Sequence, residues 1–396
     1  MQSHSRRLAS AITLRKLAGL AFLFIAAAIN AQESKENALP TGKFLGASSC
    51  SSSGCHGGAT AHRNQNSIWS RLDVHSSRPY ATLTTRRSER IAEVLSITNA
   101  PQSLRCTVCH APFHGVPEAK RATTVDIIEG VSCENCHGPA EAWLRPHTRG
   151  DFSHEDRIQA GMRDLKNLYV RANSCVACHQ NVDTDLLKAG HPELIFELDG
   201  QSVSEPKHWR ESDRWFGPKS WLVGQAVALR EMSWQLAQQT VPDERLTARW
   251  AGLLWLLSKP AGVKPNLPDL AKISFPPAQT NFTRAQQLAD QLASQAAKYD
   301  WSHETTLKWL RSLAESQADF ADKQVAVQIH GRRAERLVLA LDRLVMAQEN
   351  DALKKSLNTQ LNDLFAAVQS LPDFDAARFA TGLETFSKKF KLGTEK

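Results

Sequence analysis

Apolar residues recur at helical spacing in the second half of the chain. One stripe runs from Leu353 to Leu371 in steps of three and four residues, and shorter stripes cover residues 246–257 and 222–236. Prolines spread over residues 258–277 interrupt this pattern and predict a connection between helices. We therefore predict an all-α helical domain of five or six helices over residues 206–396.

The pattern is different over residues 32–205, where long apolar runs are few. The whole chain has 396 residues, of which 42% are hydrophobic and 22% are charged, which is typical of an ordered globular protein of two or three domains. We predict a first domain over residues 32–205 that has little regular structure and little β-structure. The fold class is therefore mainly α, with a loosely structured domain followed by a helical one.

The N-terminus has the pattern of a secretory signal. A basic stretch ends at Lys16, an uncharged apolar run of thirteen residues follows from Leu17 to Ile29, and Ala31 offers a small residue for cleavage. Thirteen residues are fewer than the ~20 that a spanning helix needs. Residues 1–31 are predicted to be a cleaved signal peptide, with an uncleaved anchor as the alternative, and the mature chain is predicted to be periplasmic or otherwise exported.

The net charge of +7 gives little support for binding to nucleic acid. Removal of residues 1–31 leaves 44 basic and 41 acidic residues, a net charge of +3. That excess is too small for a protein that binds by neutralising phosphates, so no nucleic-acid partner is expected.

The eight cysteines form four pairs, and a histidine follows the second cysteine of every pair. Three pairs have the spacing Cys-x-x-Cys-His, and the first has four intervening residues. With 8 Cys and 14 His in 396 residues, the number of Cys-x-x-Cys-His strings expected by chance is on the order of 0.006. The four units are Cys50/Cys55/His56, Cys106/Cys109/His110, Cys133/Cys136/His137 and Cys175/Cys178/His179.

This spacing is typical of covalently attached haem c. Two cysteine sulfurs form thioether bonds along one edge of the porphyrin, and the adjacent histidine binds the iron from the proximal side. Structural zinc and disulfides are the alternatives. Zinc does not require a histidine after every second cysteine, and disulfides leave the four histidines unexplained. We therefore predict four covalently attached haem c groups, which use all eight cysteines.

A second axial ligand is needed at each iron for simple electron transfer, and histidine or methionine is usual. Between residues 32 and 205 the one methionine is Met162, so histidine must supply most of these ligands. Besides the proximal residues, this part of the chain contains His62, His75, His114, His147, His154 and His191, and His208 lies just beyond it.

The third unit resembles that of the cytochrome c-554 family, the tetrahaem cytochromes c of nitrifying bacteria and their relatives. Residues 130–139 read Gly-Val-Ser-Cys-Glu-Asn-Cys-His-Gly-Pro, and His147 lies ten residues after the proximal histidine. Trp69 followed by His75 is similar to the segment after the family's first haem, although the gap is one residue longer. Gly190-His191-Pro192 resembles a distal-ligand segment of related multihaem chains. The resemblance covers about residues 40–205.

The resemblance implies that His75, His147 and His191 are distal ligands. It also implies one five-coordinate iron, at the second unit and therefore at His110. His114 and His208 are weaker candidates for ligation, while solvent exposure or bonds to haem propionates suit His62 and His154 better.

We therefore predict a periplasmic tetrahaem cytochrome with bis-histidine ligation that relays electrons between a donor and an acceptor protein. Two alternatives remain open. One is an enzyme whose five-coordinate haem reduces or oxidises a small nitrogen compound, and the other is a haem subunit of a membrane-associated redox complex that docks through residues 206–396. No protein nucleophile or other catalytic residue is identified, and the sequence does not set the oligomeric state.

Overall fold

Helix length changes along the chain in the way that the apolar pattern predicts. The computed structural model describes residues 42–211, 213–259, 267–273, 278–369 and 371–394. Within these residues, the part before residue 205 contains nine α-helices of 5 to 12 residues. They are α1 (Gln65–Arg71), α2 (Arg78–Thr82), α3 (Arg86–Val94), α4 (Leu104–His110), α5 (Cys133–His137), α6 (His154–Gln159), α7 (Leu168–His179), α8 (Thr184–Lys188) and α9 (Leu198–Ser204).

The mainly α fold class is confirmed. In the described part of the chain there is no β-strand, and a single isolated bridge joins Phe44 to Arg121. The predicted leader, residues 1–31, lies outside the described residues. Among the residues that are described, no helix combines the length and apolar character that crossing a membrane requires.

Seven helices of 12 to 22 residues follow in the described residues beyond residue 215, one or two more than the five or six predicted. The stripes over residues 222–236, 246–257 and 353–371 correspond to α10, α11 and α15. The additional α12 buries mainly alanines, among them Ala285, Ala289 and Ala293, which give little contrast with its polar face. The seven are α10 (Phe216–Ala237), α11 (Glu244–Ser258), α12 (Gln279–Ala297), α13 (His303–Ala314), α14 (Val327–Met346), α15 (Asp351–Ala367) and α16 (Ala376–Thr394).

Side-chain caps fix where three of these helices begin. Asp243, Ser302 and Asn350 each accept a hydrogen bond from the backbone N–H three residues later, at the starts of α11, α13 and α15. In the predicted connection over residues 258–277, Leu270–Lys272 forms a short 3₁₀ helix. Four of its five prolines lie outside the described residues.

One hydrophobic core extends from α7 to α16. Leu168, Ala172 and Val176 on α7 join it from the first half of the chain and pack against α10. Trp221 and Trp250 are fully buried in it, whereas Trp234 is 45% exposed. Residues 43–396 form one compact unit, so residue 206 marks a change of composition inside that unit. The division into two domains remains a prediction.

Candidate metal centres

All eight cysteines are free thiols, and three of the four units lie at the C-terminal ends of helices. His110, His137 and His179 are the last residues of α4, α5 and α7. On a helix, residues three and four positions apart share a face, so both cysteines and the histidine of a strict unit point the same way. No disulfide joins any of the eight, which leaves every sulfur available for a thioether bond.

The expanded first unit reaches a similar arrangement through a turn. Cys50 ends a short 3₁₀ helix (Ala47–Cys50), and the chain then folds back so that the His56 N–H donates to the Cys50 carbonyl at 3.2 Å. Cys55 N–H donates to the Ser52 carbonyl at 2.9 Å. The two extra residues are therefore taken up in the loop, and His56 stays beside its cysteines.

The structure places each of the three predicted distal histidines opposite a proximal one. Ring centroids are 6.1 Å apart for His56 and His147, 5.9 Å for His179 and His75, and 6.4 Å for His110 and His191. An imidazole nitrogen binds a metal ion at about 2 Å, so two imidazoles on opposite sides of one ion have centroids roughly 6 Å apart. These three pairs fit a haem iron held between two histidines.

Hydrogen bonds at Nδ1 leave Nε2 as the free nitrogen in these histidines. A metal-bound imidazole usually donates its other N–H to a carbonyl or carboxylate, which fixes the ring and its tautomer. The partners of Nδ1 are Gln65 Oε1 for His56, Asp73 Oδ1 for His75, Pro79 O for His110, Leu144 O for His147 and Pro192 O for His191.

His179 completes this set through Gln201. The Gln201 amide nitrogen lies 3.1 Å from His179 Nδ1, while Gln201 Oε1 is buried without a partner among the described residues. With the Gln201 amide turned over, its oxygen accepts from the His179 Nδ1–H. Gln201 on α9 thus orients the proximal ligand of the fourth unit.

Two carboxylates surround His75. Asp73 is buried and lies 3.0 Å from His75 Nδ1, and Glu205 lies 3.7 Å from the same nitrogen. Their hydrogen bonds, Asp73 first, raise the pKa of the His75 imidazole to about 10. Sequence reasoning missed Asp73, Gln65, Gln201 and Glu205. Of these four residues, only Asp73 lies next to its histidine in the sequence, two positions before His75. Its carboxylate also accepts a hydrogen bond from the His75 N–H at 2.8 Å.

The third unit differs from the other three. His137 takes part in no ring pair among the described residues, whereas His110, which the family resemblance assigned to an open iron, faces His191. Burial, followed by the nearby His208 and His56, lowers the pKa of His137 to about 4. Among the described residues, the third unit is therefore the one whose proximal histidine has no second histidine ring opposite it.

Neighbouring cysteines of different units indicate the spatial order of the units. Cys50 and Cys133 are close enough to shift each other's pKa, Cys50 downward and Cys133 upward, and the same holds for Cys109 and Cys178. Cys136 is close enough to Cys175 to raise the pKa of that thiol, after burial. The units consequently follow one another in space in the order first, third, fourth, second.

The weaker histidine candidates have other surroundings. His62 Nδ1 lies 3.2 Å from an Arg210 guanidinium nitrogen, and His154 Nε2 lies 3.1 Å from Asp164. His114 stacks on Tyr80 with centroids 6.0 Å apart. None of these three faces a proximal histidine in the described structure.

Gly130 holds the third unit against the segment that carries His75. It has φ +83°, and a Cβ added there would lie 1.7 Å from the Ser76 carbonyl oxygen. Val131 N–H donates to the His75 carbonyl at 2.7 Å, and Trp69 Nε1 donates to the Val131 carbonyl at 2.9 Å. Trp69 and Gly130, which belong to the two segments that resemble the family, therefore both lie beside the backbone around His75.

Gly130→Ala is expected to displace His75 from its position opposite His179, because neither the space nor the backbone conformation accepts a side chain. The reduced holoprotein should then bind more carbon monoxide per haem than the wild type. Gly150→Ala is the matched control, since nothing lies within 4 Å of a Cβ at Gly150. Equal binding by the two variants would contradict this role.

Arginines of the helical half hold the segment that follows His191. Glu193 lies 2.9 Å from Arg245 and 3.2 Å from both Arg249 and Arg332, on α11 and α14. Glu197 pairs with Arg336 of α14 at 2.6 Å.

Two further contacts complete this arrangement. Asp199 pairs with Arg343, which lies on α14 like Arg336. Arg249 also donates a hydrogen bond to the Leu194 carbonyl at 2.7 Å. The segment from His191 to Gln201, which carries one predicted distal ligand and the neighbour of one predicted proximal ligand, is thereby fixed to the helical half.

Comparison with known families places the similarity on the four units. Residues 49–138 match the family model of cytochrome c554 and c-prime, which covers the first three units. Residues 94–194 match the model of cytochrome c7 and related cytochrome c, which covers the second, third and fourth units and His191. Searches of the curated proteins and of the solved structures returned no match.

Proposed function

We propose that this chain, a multihaem cytochrome c similar to cytochrome c554 over residues 49–138, relays electrons between a donor and an acceptor protein outside the cytoplasm. Haem c, when bound, supplies reversible one-electron transfer at its iron. The chain's own residues hold that group, set its axial ligands and arrange the attachment units in space.

Four attachment units imply four haem c groups. Each unit offers two free sulfurs and a histidine whose position beside them follows from a helix end or a turn. The four units lie within residues 50–179, so the groups would fill a part of the chain that has few long apolar runs of its own.

Bis-histidine ligation at three of the irons is the central feature of the proposal. The observation that carries it is the set of three ring pairs at 5.9–6.4 Å. It is supported by the oxygen acceptor that five of the six paired histidines have at Nδ1, because that bond leaves Nε2 for the metal and raises the basicity of the imidazole. Ligands of this kind favour relay over catalysis, since they leave no coordination position for a substrate.

The order of the units also suits a relay. Cys50 neighbours Cys133, Cys136 neighbours Cys175, and Cys178 neighbours Cys109, so the first and second units lie at the two ends of a row. A row with two ends can accept electrons from one partner and deliver them to another. Export is proposed from the leader over residues 1–31, and the two partners are proposed to be redox proteins of the same compartment.

A potentiometric titration of the holoprotein, followed in the haem absorption bands, tests this function. The three haems held between histidine pairs should reduce reversibly at the low potentials of bis-histidine ligation. His147→Met should raise the potential of one haem and leave the rest in place, because a thioether ligand favours the reduced iron.

His154→Met is the matched control for that variant. His154 lies seven residues further along, carries no ring partner among the described residues and bonds to Asp164, so its replacement should move no potential. Wild-type haems that all titrate in the high range of His/Met cytochromes would overturn the proposal.

A further inference from the structure

The third unit lacks the histidine partner that the other three have, and the described residues contain six further histidines outside the pairs. Three of these are bonded elsewhere: His62 lies beside Arg210, His154 bonds to Asp164, and His330 is buried with Nε2 2.9 Å from the Asp322 carbonyl. His303 begins α13 in the helical half, and His114 stacks on Tyr80 beside the second unit. His208 is the sixth.

The imidazole of His208 is available as a metal ligand. Its Nδ1 is buried and has no hydrogen-bond partner in the described structure, which is costly for a polar atom. One of its ring nitrogens lies within 4.8 Å of carboxylate oxygens of Asp73 and Glu205. An imidazole that binds metal through one nitrogen needs an acceptor for the other, and a carboxylate is a usual one.

The same two carboxylates connect His208 to the third unit. Asp73 lies 3.0 Å from His75 Nδ1, and the His75 carbonyl accepts a hydrogen bond at 2.7 Å from the N–H of Val131, two residues before Cys133. Of the six unpaired histidines among the described residues, His208 alone has a ring nitrogen in this carboxylate cluster beside the third unit.

The segment around His208 is held in place from α7. Trp209 packs edge-on against the His208 ring with centroids 5.1 Å apart, and its Nε1 donates to Glu211 at 2.6 Å. Arg171 of α7 pairs with Glu211 at 2.5 Å and lies over the Trp209 ring at 5.9 Å. The junction between the two halves of the chain thus presents His208 toward the third and fourth units.

We propose that His208 is the sixth ligand of the iron held by His137. This deepens the proposed function and rests on it, because it makes every iron six-coordinate and the whole chain an electron carrier. It differs from the expectation drawn from the family resemblance, in which the second unit holds an open iron. The ligand comes from outside the matched residues 49–194.

Carbon monoxide binding to the fully reduced holoprotein, scaled to haem content, tests the proposal. The wild type should bind none. His208→Ala should bind one carbon monoxide per four haems, and its ferric form should gain one high-spin signal in electron paramagnetic resonance. His114→Ala is the matched control, because His114 Nε2 is likewise buried without a partner, and this variant should stay fully low-spin.

His208→Met keeps the proposal testable if the alanine variant fails to fold. It should remain low-spin and closed to carbon monoxide while one haem moves to a higher potential. A wild-type protein that binds one carbon monoxide per four haems, or a His208→Ala protein that binds none, would overturn the assignment. Either result leaves the relay function standing, since that is decided separately by the potentials of the wild-type haems.

Discussion

Glu134→Ala is expected to lower the free energy of unfolding of the holoprotein by about 3–5 kcal/mol. Glu134 lies between the two cysteines of the third unit and is fully buried. Its carboxylate accepts hydrogen bonds from the backbone N–H groups of Leu45, Gly46 and Ala140. Removal leaves these donors without partners, at about 1–3 kcal/mol for each buried group. Denaturant titration followed by far-ultraviolet circular dichroism measures the loss.

The position of Glu134 explains why the effect should reach the metal centres. Leu45 and Gly46 directly precede the 3₁₀ helix that ends at Cys50, so Glu134 fixes the first unit against the third. Burial raises the pKa of Glu134, and the bonds from Ala140, Gly46 and Leu45 counter that rise.

Glu141→Ala is the matched control for Glu134→Ala. Glu141 accepts one exposed bond from the Lys43 N–H at 2.8 Å, and its loss should cost less than about 1 kcal/mol. Equal losses in the free energy of unfolding for the two variants would show that the buried hydrogen bonds to Glu134 contribute no more than the exposed bond to Glu141.

The sequence was informative about the metal centres wherever the chemistry is local. Cysteine and histidine must be adjacent to hold one porphyrin edge and its iron, so the four units could be recognised from spacing alone. The pairing of distal and proximal histidines could not, because His56 and His147 are 91 positions apart and meet only through the fold. The resemblance suggested His75, His147 and His191 as ligands, and the structure places each of them opposite a proximal histidine.

The role of the helical half was also beyond the sequence. Apolar stripes predict three of its seven described helices, but the residues that hold the segment after His191 are arginines on α11 and α14, which a sequence presents as ordinary surface charges. Their partners are the three carboxylates of residues 193–199. We therefore interpret the helical half as the scaffold for a ligand-bearing segment, while docking to a redox partner remains a prediction.

Glu193→Gln is expected to lower the free energy of unfolding by about 3 kcal/mol at neutral pH. Arg249 is 5% exposed and depends on Glu193 for its charge partner. Breaking a buried pair by removing one partner strands the other charge, which typically costs about 3–5 kcal/mol, and Arg249 retains its bond to the Leu194 carbonyl. Chemical denaturation of the holoprotein measures the change.

A double-mutant cycle with Arg249→Met separates the pair from general disruption of α11. The double variant should be less destabilised than the sum of the two single variants by about 1–3 kcal/mol, because no charge is then left buried alone. Glu384→Gln, which removes one member of an exposed pair with Lys388 on α16, should change stability by less than about 0.5 kcal/mol. Additive effects of Glu193→Gln and Arg249→Met would mean that the arginines of the helical half do not hold the segment after His191 through this carboxylate.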